Sequence, residues 1–133
     1  MKNLTKLILL MSACLLIVSC GAPKTPKDVV KIMFVAIQNL DFATMKKHLA
    51  SERLSRLEQE EQDMKENPND AADFILKIKD AKIEIISEKI SEDKNSASVV
   101  IKISQVKGEY DSFENSVNLI KENGEWKFDE NAL

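Results

Sequence analysis

The chain has 133 residues, and its 19 basic and 22 acidic side chains give a formal net charge of −3. This length suits one domain. The slightly acidic balance disfavours nucleic acid as a partner, because proteins bind phosphates through a surplus of Lys and Arg. With only Cys14 and Cys20 present, no disulfide framework and no cysteine-rich metal site is indicated.

Residues 1–19 have the layout of a secretory signal peptide. Lys2 and Lys6 precede an apolar stretch from Leu7 to Val18, and a small residue, Ser19, follows. The stretch is shorter than the roughly 20 apolar residues that a bilayer-spanning helix needs. We therefore expect this segment to be removed from the mature protein.

The end of that segment, Ile17-Val18-Ser19-Cys20, resembles a bacterial lipobox. The resemblance implies cleavage before Cys20, diacylglycerol on its thiol and acylation of the new amino terminus. Several acyl chains hold a protein firmly, whereas one chain binds only marginally. The alternative is an ordinary signal peptide with a chance cysteine. We expect a lipoprotein of the cell envelope, and Gly21 in place of a retention aspartate favours the outer membrane where the source has one.

Residues 20–24 are the expected lipidated cysteine and short tether, and residues 25–133 the expected single domain. Thr25 as the cap, Pro26 at the first helical position and Asp28 three residues after the cap predict the start of a helix. Its apolar residues recur at helical spacing: Val29, Val30, Met33, Phe34, Ile37 and Leu40.

Two more helices are predicted after a break at Asn39 to Asp41. Asp41 caps a short one and Ser51 caps a third, which ends near Asn67-Pro68 because proline disfavours helix at the preceding residue. The third helix is acidic, with few apolar residues, so it should lie on the surface. Asp70 to Lys79 fits either further helical turns or the approach to a strand.

From Ala81 the apolar period changes to two, which indicates strands. The adjacent Ile85 and Ile86 would shift the buried face, as a β-bulge does. Four strands are expected, joined by turns at Ser91 to Asn95, Lys107-Gly108 and Asn123-Gly124, and the last is a strong signal for a tight hairpin. Helices followed by an antiparallel meander predict an α+β domain, with helices packed on one face of the sheet.

Two stretches of the domain, residues 25–42 and residues 117–128, resemble a known family. The first has "Pro, acidic, Val-Val" and the second has "Asn-Gly" followed by "Trp-Lys". They resemble the small bacterial lipoprotein domains of unknown function in the nuclear-transport-factor-2-like, or cystatin-like, superfamily. The resemblance implies a strongly curved four-stranded sheet around helices, often with a conical pocket. The superfamily includes ketosteroid isomerases, but their buried acids and tyrosine cannot be placed here, so no catalytic residue is assigned.

The remaining chemistry-bearing residues have structural explanations. His48 is the only histidine, and a partly exposed helix position is expected for it rather than a metal or base role. Ser51 and Ser55 have no partner histidine placed by a motif. The acidic series from Glu58 to Glu66 lacks the mid-run glycine of a calcium loop and predicts a solvated helix face. Trp126 could line a ligand site, but in this hairpin a core or sheet-closing position is expected.

Gln105 and Asn115 are the candidate ligand-binding residues. By strict alternation they share the inner row of the sheet with Ile103 and Val117, and an unpaired buried amide costs about 1 to 3 kcal/mol. Either they line a pocket or they lie near strand ends, where water reaches them. Because amides do not titrate in the useful range, a pocket built on them implies binding without turnover.

The sequence thus predicts a membrane-anchored envelope lipoprotein that acts as a non-catalytic binding or interaction module. Its expected partners are the membrane, through lipid on Cys20, and a small apolar ligand or an envelope protein, with no cofactor. The alternatives are an enzyme of the same superfamily with an unrecognised pocket, and a structural subunit of an envelope complex. A flat, exposed apolar patch would favour the structural subunit.

Overall fold

The computed structural model describes residues 25–109 and 111–133. The predicted signal peptide, the tether and Cys20 lie outside the described residues. The helices are α1 (Pro26–Gln38), α2 (Phe42–His48), a 3-10 turn (Ser51–Arg53), α3 (Leu54–Glu66) and α4 (Pro68–Ile78). The strands are β1 (Lys82–Ile90), β2 (Ser96–Ser104), β3 (Phe113–Glu122) and β4 (Glu125–Phe128). Helices before strands confirm the α+β class.

Helix α1 begins at the predicted cap. The Thr25 hydroxyl accepts from the Asp28 amide at 3.3 Å, and the Asp28 carboxylate accepts from the Thr25 amide at 3.2 Å. This capping box satisfies two amides that the helix itself leaves unpaired. The hydrogen bond from Thr25 holds the pKa of Asp28 below its ordinary value.

The breaks between helices follow from local chemistry in one case and from a distant contact in another. Asp41 caps α2 as predicted, accepting from the Thr44 amide at 3.1 Å. The predicted cap at Ser51 is wrong. Its amide and hydroxyl both donate to Glu122 Oε1, at 2.9 and 3.1 Å, so α3 starts at Leu54 without a side-chain cap.

The four strands form one antiparallel sheet in the order β1-β2-β3-β4. Ile85 pairs with Ile101 and Ser87 with Val100, so Ile86 is the extra residue of a bulge, as predicted. Asn123 and Gly124 have φ values of 51° and 79°. Two positive φ values in a two-residue turn confirm the predicted tight hairpin.

The core lies between one face of the sheet, called here the inner face, and the helices. The buried members of this core are Val29, Val30, Met33, Ala36, Met45, Leu49, Leu57, Ala97, Val99, Ile101, Val117, Leu119, Trp126 and Phe128. Trp126 is 6% exposed, which confirms its core position. The Lys121 ammonium lies 5.1 Å from the centre of the Trp126 ring, within range of a cation–π contact.

The ambiguous stretch before the sheet is helical, forming α4 as far as Ile78. Its end is held by Gln38, whose Nε2 donates to the carbonyls of Ile78 and Ala81, each at 2.9 Å. The Ile78 carbonyl belongs to the last turn of α4, whose carbonyls have no partner within the helix, and the Ala81 carbonyl immediately precedes β1. They join the carboxyl end of α1 to the start of β1.

Candidate functional site

The predicted inward position of Gln105 is wrong. β2 ends at Ser104, and Gln105 follows it with a φ of 60° and an exposed side chain. A residue with left-handed backbone interrupts the alternation of side chains along a strand. The period of two therefore does not extend from Ile103 to Gln105.

Asn115 lies in the inner row but at its open end. It pairs with Ile101, which is 5% exposed, yet the side chain of Asn115 itself is exposed. Its neighbour Phe113 is 45% exposed, so the helices leave this end of the inner face uncovered. The two amides therefore lie near strand ends in reach of water, the second of the two placements considered above.

His48 is more buried than the sequence predicts, with 8% of its surface exposed. The correction has a tertiary cause: α2 packs against β4, so the last helical residue meets the sheet. Burial lowers the pKa of His48, and the charges of Lys47 and Lys127 lower it further, while Glu125 opposes them. The buried site therefore disfavours the protonated form of the imidazole.

Of the acidic residues of α3, Glu58, Asp63 and Glu66 are exposed, as predicted, whereas Glu60 and Glu61 are half-buried and form ion pairs. Glu61 pairs with Lys46 and, at 2.8 Å, with Lys65, while Glu60 pairs with Arg56 at 2.9 Å. Hydrogen bonds from Lys46 and then Lys65 hold the pKa of Glu61 below its ordinary value. Within the ranges that the structure describes, no group of three or more His, Cys, Asp or Glu side chains is arranged to hold a metal ion.

An open polar groove of about 450 Å³ lies at the end of the sheet where β1 finishes and β2 begins. We call it the strand-end groove. Its polar lining residues are Arg53, Lys89, Ser91, Ser96, Ser98, Asn118, Asp129 and Glu130. Ser98 and Asn118 alternate with buried neighbours on β2 and β3, so they face away from the core.

The chain after β4 builds one wall of the strand-end groove. The Asp129 amide donates to the Asn118 carbonyl at 2.8 Å, and the Asn118 side-chain amide donates to Glu130 Oε1 at 2.7 Å. Arg53 Nε donates to Asp129 Oδ1 at 3.0 Å. The wall is thus fixed by hydrogen bonds, and hydroxyls, an amide and charges of both signs line the floor. This arrangement can hydrogen-bond a polar ligand.

A second groove, also about 450 Å³, lies on the outer side of α1 beside α2. Val35, 56% exposed, contributes to its apolar lining, and Asp41 and Thr44 lie at its rim. The Thr44 hydroxyl donates to Asp41 Oδ2 at 2.6 Å, and Thr44 lowers the pKa of Asp41. The capping role predicted for Asp41 accounts for that carboxylate.

Sequence reasoning did not predict an exposed apolar pair on β1. Ile86 and Ile90 are 46% and 43% exposed. The signal was present in the adjacent Ile85 and Ile86, because successive side chains of a strand point to opposite faces, so both cannot reach the core of a regular strand.

These features define a small two-layer α+β domain, with helices on one face of a four-stranded antiparallel meander. The chain belongs to the family described as domain of unknown function DUF4878, whose sequence profile matches residues 18–129. Its fold is similar to the solution structure of a SEC-C motif containing protein from Rhodopseudomonas palustris. That likeness has a TM-score of 0.57 at 12% identity and covers 86% of this chain and 83% of that one.

At that identity the likeness concerns the fold alone. A comparison with curated proteins finds no match. Among the described residues, no helix is long and apolar enough to cross a membrane.

Proposed function

We propose that this chain is a lipoprotein of the cell envelope, cleaved before Cys20 and anchored by lipid on that cysteine. We propose further that its domain acts as a non-catalytic binding or interaction module. The observation that carries the proposal is the closeness of the fold to the lipobox: α1 is capped at Thr25. The five steps from Cys20 to Thr25 span at most about 17 Å, at about 3.3 Å per residue, so the lipid would hold the domain at the membrane surface.

The tether also orients the domain. The amide of Lys27, in the first turn of α1, donates to Glu88 near the end of β1 at 2.9 Å. The strand-end groove includes Lys89, so it lies at the end of the domain that the tether would hold near the membrane. The uncovered end of the inner face, at Phe113, would then point away from the membrane.

A binding role is favoured by where the polar groups lie. His48, the last residue of α2, is buried, and this burial lowers its pKa. The polar groups of the strand-end groove are instead accessible and already held in place by Asn118, Arg53 and their carboxylate partners. Preformed polar groups on a rigid sheet lower the ordering cost of binding.

We also propose that the domain belongs to the nuclear-transport-factor-2-like, or cystatin-like, superfamily. Support comes from the packing of α1 across one face of an antiparallel meander and from the bulge at Ile86, since bulges increase sheet twist and bend the strand. An experimental structure tests this assignment. A strongly curved sheet enclosing α1 would support it, and a flat sheet with α1 lying across it would refute it.

Cell fractionation tests the anchor. Cys20→Ser should move the protein out of the membrane fraction or leave it as a longer precursor. Cys14→Ser is the matched control and should behave as wild type, because residue 14 leaves with the signal peptide. An unchanged membrane location and mature mass for Cys20→Ser would contradict the lipid anchor.

Affinity capture from native membranes tests the binding role. Proteins and small molecules that copurify with wild type should be lost with Ser98→Arg, which places a long charged side chain in the strand-end groove. Ser112→Arg, an exposed residue outside that groove, should retain them. Equal recovery with both variants would refute binding in the groove.

A further inference from the structure

The two edges of the sheet differ. The edge at β4 is only 4 residues long and is covered, because the Ala50 amide donates to the Phe128 carbonyl at 2.9 Å and Leu49 forms a parallel bridge to Phe128. The edge at β1 is 9 residues long. Among the described residues, no backbone hydrogen bond joins Lys82–Ile90 to any element but β2. An uncovered edge is a template for pairing with another strand.

The side chains on this open edge are partly apolar. Ile86 and Ile90 are 46% and 43% exposed, and no residue of β1 is fully buried. Natural sheets usually protect an edge with charge and bulges rather than with isoleucine. β1 has protective charges and a bulge as well as exposed isoleucines. The positions of its charges and of its bulge therefore determine which strand can pair with it.

The bulge at Ile86 determines which strand fits, because it changes which side chains of β1 lie on the same face of the sheet. Before it, Ile83 faces inward opposite Ile103, and Glu84 faces outward opposite Lys102. After it, Ile90 faces inward opposite Ala97, and Lys89 faces outward opposite Ser98. Glu84 and Lys89 are five residues apart, which would place them on opposite faces of an unbulged strand.

We infer that β1 pairs in antiparallel fashion with β1 of a second copy of this chain, joining two four-stranded sheets across a two-fold axis beside Ile86. In this register Glu84 of each copy lies opposite Lys89 of the other, and Ile83 lies opposite Ile90. A two-fold interface repeats each contact, so two opposite-charge pairs and two isoleucine pairs form together.

The neighbouring registers are worse. Sliding the second copy by two residues in one direction sets Lys82 against Lys89, two like charges on one face. Sliding it in the other direction sets Glu84 against Ser91 and removes both ion pairs. Like charges directly opposite each other destabilise a strand pair. The charges and the bulge of β1 would disfavour pairing with an arbitrary strand, but they are complementary to β1 of a second copy. They therefore give specificity as well as attraction.

A charge exchange tests this interface in the full-length chain, purified from membranes in detergent and measured by analytical ultracentrifugation. We expect wild type to be dimeric. Glu84→Lys and Lys89→Glu should each weaken dimerisation, by about fivefold for two reversed cross-strand pairs. The double variant, carrying both substitutions, should return to within about twofold of wild type, because both pairs re-form with opposite sign.

Two further variants separate the interface from general surface effects. Ile90→Lys should weaken dimerisation more than either charge reversal, whereas Val35→Lys, an exposed apolar residue on α1, should leave it unchanged. Thermal melting verifies that each variant is folded. A monomeric wild type would overturn the inference, and so would a folded double variant that dimerises no better than the two single ones.

A cysteine pair tests the register directly in cells. The variant with Glu84→Cys and Lys89→Cys should form a disulfide-linked dimer under mild oxidation. The variant with Lys82→Cys and Lys89→Cys should form far less, because it matches the disfavoured register. Equal cross-linking of the two variants would refute the proposed register.

Discussion

The hairpin that closes the sheet depends on two residues with left-handed backbone. Asn123 and Gly124 join Glu122 to Glu125, which pair directly, and their φ values are 51° and 79°. A Cβ built on Gly124 would meet no atom within 4 Å. Gly124→Ala therefore changes the backbone energy of the turn and leaves its packing alone. For a non-glycine residue the left-handed conformation costs about 1–2 kcal/mol.

This cost should reach the whole domain. The strand after the turn places Trp126 and Phe128 in the core, where they are 6% and 7% exposed, so the hairpin cannot fray without exposing both rings. We expect Gly124→Ala to lower the free energy of unfolding by about 1–2 kcal/mol. At about 4 °C per kcal/mol for a domain of this size, Tm falls by about 4–8 °C. Gly124→Val should cost more, since a β-branched side chain restricts the backbone further.

Urea denaturation followed by circular dichroism measures the effect, with an unchanged slope as evidence that only stability has moved. Gly108→Ala is the matched control. Gly108 also has a positive φ, 93°, and free space around it, but it lies outside the two-residue hairpin that places Trp126 and Phe128 in the core, so the loss should be smaller. Asn123→Gly should be close to neutral because glycine accepts the same φ. A Gly124→Ala variant as stable as wild type would refute the role assigned to the turn.

Three further predictions concern stability. Because the pKa of His48 is lowered, the unfolded chain binds its proton first as pH falls. The stability linked to His48 should therefore be complete above pH of about 7 and decline as pH drops through about 6.5, a dependence that His48→Leu should remove in pH-resolved melting curves. Thr25→Ala should cost about 1 kcal/mol, and a double-mutant cycle with Asp28→Ala should be non-additive because the two groups form one capping box. Leu119→Ala, at a fully buried position, should cost about 2–5 kcal/mol in denaturant unfolding.

The features that were predictable from the sequence are those set by neighbours along the chain. Thr25 with Asp28, and Asn123 with Gly124, specify a helix cap and a turn through hydrogen bonds and φ preferences a few residues apart. The bulge at Ile86 was readable for a similar reason, since two adjacent apolar residues cannot share one face of a strand.

The features that were missed depend on contacts between distant parts of the chain. The hydroxyl of Ser51 bonds to Glu122, 71 residues away, instead of capping a helix. His48 is buried by a strand that lies far along the chain. Gln105 leaves the row because its strand ends one residue earlier, and Asn115 is exposed because the helices do not reach its end of the sheet. The local sequence around a strand residue does not indicate where a helix of the other layer ends.

The lipid anchor is the central claim, and the intact mass of the protein extracted from membranes tests it most directly. We expect a chain beginning at Cys20, with the mass of residues 20–133 increased by diacylglycerol and an amino-terminal acyl group, and with both additions located on Cys20 by fragmentation. A mature chain with an unmodified Cys20, or one that still carries residues 1–19, would contradict the lipid anchor.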